Sequence, residues 1–400
     1  MKCDSNIDRN TNSSQIYHKR KELLLTHSDE SVNRLNSGDT WNEFCDNLKA
    51  AGAVIMDPDA PSDLLTRAEG FRYLSRVARG ALEAFVEFAD PLAPVLFRPV
   101  HETVKMGADN PDNYYQWARI SGEYDYRITG NRGSIHYLGF GTYAGQYGSP
   151  ARSAQTGYLE GKELQCDENG DFEITVSCSE ARSNWLRMEP DTASLIVRQM
   201  YLDKDNETLA NLRVECLGHS DTRESVPVLP RATPASIDEG LGTASRLVMG
   251  AASIFSSWAK GFQAHVNRLP EFDDSNALAA HGDPNIKYYH SYWKLESEEV
   301  LVISFIPPRC DYWNFQLNNH WMESLDYRYH RIAINSHEAA REKDGSVKLI
   351  VAHRDPGHPN WIETADHHFG TMCFRWVRAD AHFEPATRVV TLEEFRKENS

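Results

Sequence analysis

The chain has 400 residues, 40% hydrophobic and 25% charged, a composition typical of globular proteins and long enough for two cores. Its 58 acidic against 42 basic side chains give a formal net charge of -16, and no Lys/Arg cluster offsets it locally, which argues against a nucleic-acid partner. No apolar run approaches the roughly 18 residues of a membrane span, the first 30 residues hold no signal-peptide core, and the seven cysteines include no C-x-x-C pair, so we expect no membrane partner, reduced thiols and a cytoplasmic location.

In chain order, residues 1–39 read as a polar, mobile arm and 40–100 as a helical segment. Trp41, Phe44, Leu48 and Ala51 share one helical face; after Pro61, residues Leu64, Ala68, Phe71, Leu74, Ala78, Ala81, Phe85 and Phe88 recur at spacings of three and four until Pro91. Residues 101–220 form a first β-unit. It opens with EYDYRITGNRGSIHYLGFGTY, where alternating Tyr124, Tyr126 and Ile128 and a glycine-containing connection at 129–133 predict a hairpin. Residues 221–272 read as a Pro-punctuated linker and a helix, with Leu241, Ala244, Val248, Ala251, Phe255, Trp258 and Phe262 on its packed face. A second β-unit follows at 273–385, then a short C-terminal helix at 386–400, where Thr391 and Glu394 have capping-box spacing.

The two β-units are related. NGDFEITVSCSEARSNWLRMEP, from Asn169, can be laid on DGSVKLIVAHRDPGHPNWIETA, from Asp344: a turn with glycine, an alternating apolar strand, a polar loop and Asn-Trp. Gly170 precedes Asn184 by 14 positions and Gly345 precedes Asn360 by 15; Arg198 and Arg375 then follow at matching distances, and Tyr137 and Trp313 precede at matching distances. The fold class predicted is therefore α+β: two related antiparallel β-sandwich units with an N-terminal helical segment and a central helical connection. In such units Asn-Trp serves structure most simply, tryptophan filling the core and asparagine satisfying loop backbone.

GADNPDNYYQWARISGEYDYRITGNRGSIHYLGFGTY, then NWL, then DPGHPNWIETADHHFGTMCFRW resemble the bacterial proteins of domain-of-unknown-function family 1214, from about Glu69 to Val377. The resemblance implies a β-sandwich-containing fold and no established activity. One position departs: Asp366 stands before the histidines where the family pattern has glycine, which leaves the backbone shape of that loop open.

Chemistry is sought at Asp355-Pro356-Gly357-His358, which satisfies a type II turn at a sheet end. His353 and Asp355, two apart, point to one side if extended; His358 and His367-His368 follow. The upstream copy has Cys178 and Glu180 at the matching positions and no histidine. Three readings are open. In the first, His353, Asp355, His358 and His367 do metal-free acid–base catalysis, with His320, Arg375, Trp361 and Asn360 binding substrate. In the second, His353, His358 and His367 hold a divalent metal, although no H-E-x-x-H or H-x-H spacing occurs. In the third, the histidines only cap loops. No cofactor is expected otherwise.

The expected function is an intracellular enzyme acting on a small organic, anionic or ring-containing substrate, its reaction unassigned. Hydrolase, lyase or isomerase is favoured over kinase or nicotinamide-dependent dehydrogenase, because the chain has no P-loop, no G-x-G-x-x-G after a strand and no G-x-S-x-G elbow. The alternatives are a metal-dependent hydrolase or lyase, and a non-catalytic small-molecule or carbohydrate-binding protein. The last rests on aromatic clusters such as DNYYQW and KYYHSYW. A small-molecule ligand is the expected partner in every case.

Overall fold

A computed structural model describes residues 28–145, 153–217 and 232–399. The alternating strands of the first unit are β1 (Asn113–Arg119), β2 (Tyr126–Asn131), β3 (Tyr137–Ala144), β4 (Ala154–Glu160), β5 (Asp171–Ser177), β6 (Trp185–Arg187), β7 (Thr192–Met200) and β8 (Asn211–Cys216). Those of the second are β9 (Ile286–Lys294), β10 (Glu299–Phe305), β11 (Tyr312–Leu317), β12 (Ala333–Asn335), β13 (Val347–Ala352), β14 (Trp361–Glu363), β15 (Phe369–Val377) and β16 (Ala386–Thr391).

Each unit is a sandwich of two four-stranded sheets, ordered β1-β7-β3-β4 and β6-β5-β2-β8 in the first, and β9-β15-β11-β12 and β14-β13-β10-β16 in the second. Every strand of the first unit thus has its counterpart eight strands later, and in both units the short strand that opens with Asn-Trp runs parallel to its neighbour (β6 to β5, β14 to β13). Strand alternation sends one set of side chains into each sandwich. In the second unit Tyr289, Trp293, Phe374 and Trp376 meet Leu301, Ile303, Leu349 and Val351; in the first, Ala118, Phe140, Leu195 and Val197 meet Ile128, Ile174 and Val176. Burying each of these large side chains stabilises the fold by about 1.5–3 kcal/mol before entropy is counted.

The opposite stripes of β1, β7, β9 and β15 face a helical layer. It comprises α1 (Ser28–Ser37), α2 (Asp39–Ile55), α3 (Leu64–Leu82), which runs on into a π turn at Glu83–Glu87, and α4 (Pro234–Phe262). Asp63 caps α3 by accepting from the Thr66 N–H, and Thr233 with Ser236 makes a capping box for α4. A short α5 (Asp274–Ala279) precedes β9, and α6 (Leu392–Glu398), capped by Thr391 and Glu394 as the spacing predicts, buries Leu392 and Phe395 against β10 and β13. Among the described residues no helix is long and apolar enough to cross a membrane.

Five details differ from the sequence reading. The arm expected at 1–39 becomes helix α1 from Ser28, because Arg34 reaches Asp238 of α4 at 2.9 Å; residues 1–27 lie outside the described residues. The hairpin expected over 123–143 is an arch. β2 pairs with β5 and β8, β3 with β4 and β7, and Gly133 at φ 57° crosses between the sheets where a Cβ would stand 2.6 Å from the Thr208 carbonyl. On α3, Leu64 and Phe71 are exposed; the buried face is Tyr73, Val77 and Ala81 with Gly70, whose bare Cα admits Trp321. The second unit extends beyond 385, since β16 completes its sheet by pairing with β10. Finally, register makes Tyr312, not Trp313, the counterpart of Tyr137: Tyr137 pairs with Met200 and Tyr312 with Val377, each two residues beyond the repeat arginine.

Candidate functional site

The DPGH corner connects parallel β13 and β14, and Gly357 takes φ 82°. Asp355 is exposed and folds back on its own turn, its Oδ1 accepting the Gly357 N–H at 2.7 Å. His353 lies 2.9 Å from the Thr364 hydroxyl through Nδ1 and 3.2 Å from the Leu295 carbonyl through Nε2, which satisfies a neutral ring at both nitrogens. His358 Nδ1 accepts the Asn360 N–H, and its ring edge meets Phe395 of α6; burial lowers its pKa. His367 faces acceptors on both sides, Ala365 O at 2.7 Å and Glu69 of α3 at 3.1 Å. Burial opposes its charge, but the Glu69 carboxylate and the carbonyls outweigh burial and raise its pKa. His353, His367 and His368 do lie near one another around Thr364. Asp355 and His358 turn elsewhere, and among the described residues no three His, Cys, Asp or Glu side chains converge as a metal requires. Asp366 adopts φ 63°, the conformation glycine would take, so the loop keeps a glycine-like backbone despite the departure from the family pattern.

The Asn-Trp pairs form one clamp, made twice. Asn360 Nδ2 donates to Ala340 O (2.7 Å) and Lys348 O (2.8 Å), its Oδ1 accepts the Ala340 N–H, and Trp361 Nε1 donates to Ala352 O. Asn184 does the same with Gln165 and Glu173, and Trp185 with Ser177. Asn360 is buried and has both N–H donors committed to backbone carbonyls. His320 is likewise enclosed, 3.0 Å from the Tyr292 hydroxyl, and burial pushes its pKa down to about 4.

Of the substrate-binding residues read from sequence, Arg375 lines the cavity described below, and it does so through a crossing of the two units. Arg198 and Arg375 hold equivalent places on β7 and β15, beside Tyr115 and Tyr288. Arg198 Nη2–H donates to the carbonyl of His281, ahead of β9; Arg375 Nη2–H donates to that of Ala108, ahead of β1. Both carbonyls are presented by left-handed residues, Ala108 at φ 57° and His281 at φ 58°. The turns that follow exchange tyrosines as well. Tyr312 OH donates to Asp112 (2.6 Å) and accepts from Asn110, while Tyr137 OH donates to Asp283 (2.9 Å) and accepts from Asn285. Asn-Pro-Asp in one unit thus grips the other's tyrosine, and Asp-Pro-Asn returns the grip.

At this crossing the outward stripes of β1, β7, β9 and β15, with α3 and α4 above, enclose a cavity of about 230 Å³. Trp117, Ile196, Phe85, Phe255, Trp258 and Phe272 give it apolar walls; Arg119, Arg198, Arg375, Asp109, His281 and His290 add polar groups. Its lining holds three guanidiniums against one carboxyl, that of Asp109. Burial raises the Asp109 pKa, and its oxygens accept from the Ser324 N–H (2.9 Å) and hydroxyl (2.8 Å). Arg198 and Arg375 are committed to the crossing, Arg198 also to Tyr143 and Arg375 to Gln316 and Asn314.

Arg119 is different. Its described hydrogen bond is a single 3.3 Å contact to Ala193 O; among the described residues no carboxylate lies within ion-pair distance, and Glu239 acts on it only from farther away. Partial burial pushes its pKa down, and Glu239 offsets this only in part. His290 is stacked between Phe262 and Tyr288, and burial holds it neutral, its pKa pushed down to about 3. Its Nε2 lies 3.8 Å from Cys373 Sγ, while its buried Nδ1 has no partner. Sequence reading missed Arg119, His290 and Asp109. One signal was present, a lone arginine two residues beyond Trp117 on an aromatic strand whose repeat counterpart carries Tyr292 at the matching position.

The family described as "Protein of unknown function (DUF1214)" matches residues 297–380, which run from the turn before β10 to just past β15. The chain belongs to the DUF1214 family. The crystal structure of an uncharacterized protein from Burkholderia cenocepacia is similar to this DUF1214 protein, with 48% identity over 90% of this chain and 99% of that one and a TM-score of 0.86. The VPA0106 protein from Vibrio parahaemolyticus shares 11% identity over 86% of this chain and 100% of its own, at a TM-score of 0.45. No curated protein matches the DUF1214 chain.

Proposed function

We propose that the protein binds a small organic acid with an apolar, ring-sized body in the cavity between its two β-units, and that it does so without chemistry of its own. The guanidinium of Arg119, half-buried at an aromatic wall and with no carboxylate partner among the described residues, carries this reading, since a partly desolvated cation gains much from a bidentate carboxylate. An acid–base enzyme at the DPGH corner has less support, because His353 and His367 already spend both ring nitrogens on the fold and His358 spends its Nδ1 there. The largely apolar walls suit a ring acid better than a carbohydrate chain. A cytoplasmic location is part of the proposal; six free thiols among the described residues support it.

Calorimetry with aryl carboxylates, together with mass spectrometry of small molecules released from the purified protein, tests the reading. Binding should weaken by at least about tenfold in Arg119→Met, one charge-assisted hydrogen bond's worth. The ligand should be recovered unaltered after incubation. If nothing co-purifies and no aryl acid binds at millimolar concentration, the reading fails; if the acid is consumed, binding without chemistry is wrong.

A further inference from the structure

One rung of the repeat is closed by the chain itself in the second unit and lacks its closing groups in the first. In the second unit Tyr292 of β9 stands opposite Thr371 of β15 in the ladder. The stretch after β11 covers that rung. The Thr371 hydroxyl donates to the Asn319 carbonyl at 3.1 Å and accepts from Asn318 Nδ2, while the Tyr292 hydroxyl lies 3.0 Å from His320 Nδ1. All five of these residues are buried.

Counted from the shared tyrosines and arginines, the same rung of the first unit is Arg119 of β1 opposite Ser194 of β7. Counted from Tyr137 and Tyr312, Tyr143 stands where the second unit has Asn318, and Gly145 where it has His320. Neither closes the rung. The Tyr143 hydroxyl accepts from Arg198 and Gln155 instead, and Gly145 has no side chain to send. Ser194 is only 4% exposed and lines the cavity, yet its hydroxyl has no hydrogen bond among the described residues. Its distance from the guanidinium is short. Arg119 Nη1 lies 3.3 Å from the carbonyl of Ala193, the residue joined directly to Ser194, so both groups can reach one small anion.

We infer that a single ligand carboxylate closes this rung, accepting from the Arg119 guanidinium and from the Ser194 hydroxyl together, so that Ser194 is a binding residue of the site. This rests on the reading of the cavity as an acid-binding site. Both protein groups can donate, so the missing piece must bring acceptors, as the Asn319 carbonyl does for Thr371. A carboxylate offers about four lone-pair sites on two oxygens, enough for a guanidinium edge and a hydroxyl at once. The next rung on the same face is Trp117 opposite Ile196, and the apolar body of the acid lies there. The acid end is thus fixed at the Arg119 rung of β1 and β7, away from Arg198 and Arg375, which hold the crossing.

Calorimetry on the full chain with benzoate, phenylacetate and 3-phenylpropanoate finds the acid that wild type binds best. Ser194→Ala should weaken that acid by about tenfold, the loss of one hydrogen bond to a charged group. Without ligand, the same variant should melt within about 1 °C of wild type, because its hydroxyl has no protein partner to lose. Thr371→Val, on the rung that the chain closes, should lower the melting temperature instead. An affinity loss below about threefold in Ser194→Ala overturns the inference and leaves the acid-binding reading standing. A ligand-free Ser194→Ala protein that melts clearly lower, or does not fold, shows the hydroxyl serving the fold and overturns the inference too. Failure of every acid to bind wild type overturns the acid-binding reading itself.

Discussion

The histidine-rich corner of the second unit and its histidine-free counterpart in the first are built on one frame. Both have Asn-Trp at the head of a short parallel strand, the same three side-chain bonds from asparagine, and the same tryptophan N–H to a strand carbonyl. A corner that forms without histidines does not need them for its shape, yet the histidines it gained are consumed locally by Thr364, Leu295, Ala365 and Glu69. The cavity-facing stripes teach the opposite. There the shared residues, Tyr115 with Tyr288 and Arg198 with Arg375, tie the units together, and the divergent ones, Arg119 and His290, are those left with bonding capacity. Here what repeats between the two units is framework, and what differs between them on the cavity-facing stripes is where unsatisfied polar groups remain.

The largest expected effect breaks the shared pair. Arg375→Met strands the Ala108 carbonyl and the amide oxygens of Gln316 and Asn314, and should cost roughly 3–5 kcal/mol in urea unfolding. Arg198→Met, which frees one carbonyl and a tyrosine hydroxyl, should cost less; the reverse order would contradict the division of roles drawn here. Next comes the clamp. Asn360→Ala unpairs three backbone groups at a buried site and should cost about 3 kcal/mol, against about 1 kcal/mol for Asn184→Ala, where water reaches the partly exposed residue.

Smaller effects follow with pH. The folded pKa of His367 is raised above the ordinary value of 6.5, so its pairing with Glu69 stabilises the protein fully below that value and is lost as pH rises through the folded pKa. Glu69→Gln should therefore flatten the fall in melting temperature between pH 6 and 8. His290 and His320 act in the other direction. They are held neutral with folded values near 3 and 4, so the stability they contribute is present above about 6.5 and is lost as pH falls toward those values. His320→Phe should lessen the acid sensitivity. The smallest change is Asp355→Ala, which removes one exposed turn bond and should cost roughly 0.5–1 kcal/mol, visible as a small drop in melting temperature.

Much of the architecture was legible because landmarks of unusual chemistry recur: glycine at positive φ, Asn-Trp and a lone strand arginine. Gly170 and Gly345 do share φ 84°, as a common turn demands. Local signals failed where two structures share them. A glycine-containing link between alternating strands reads as a hairpin, but at Gly133 it joins two sheets, and only the pairing of β2 with β5 tells the difference. The site was less legible still. Histidine density points to 353–368, whereas Arg119, Asp109 and His290 lie on separate stretches that come to line one cavity only when the two units cross. The informative comparison was between repeat positions on one strand face, which requires a register that sequence spacing missed by one residue at Tyr312.

The reciprocal hold of each unit on the other's arginine and tyrosine makes this chain a dimer whose subunits happen to share a backbone. Severed within 218–231, each fragment would carry a buried guanidinium and a phenol with nowhere to go, and neither would stand by itself. Mixed, the fragments should find each other and rebuild the hollow between them, so that occupancy of that hollow reports on their reunion.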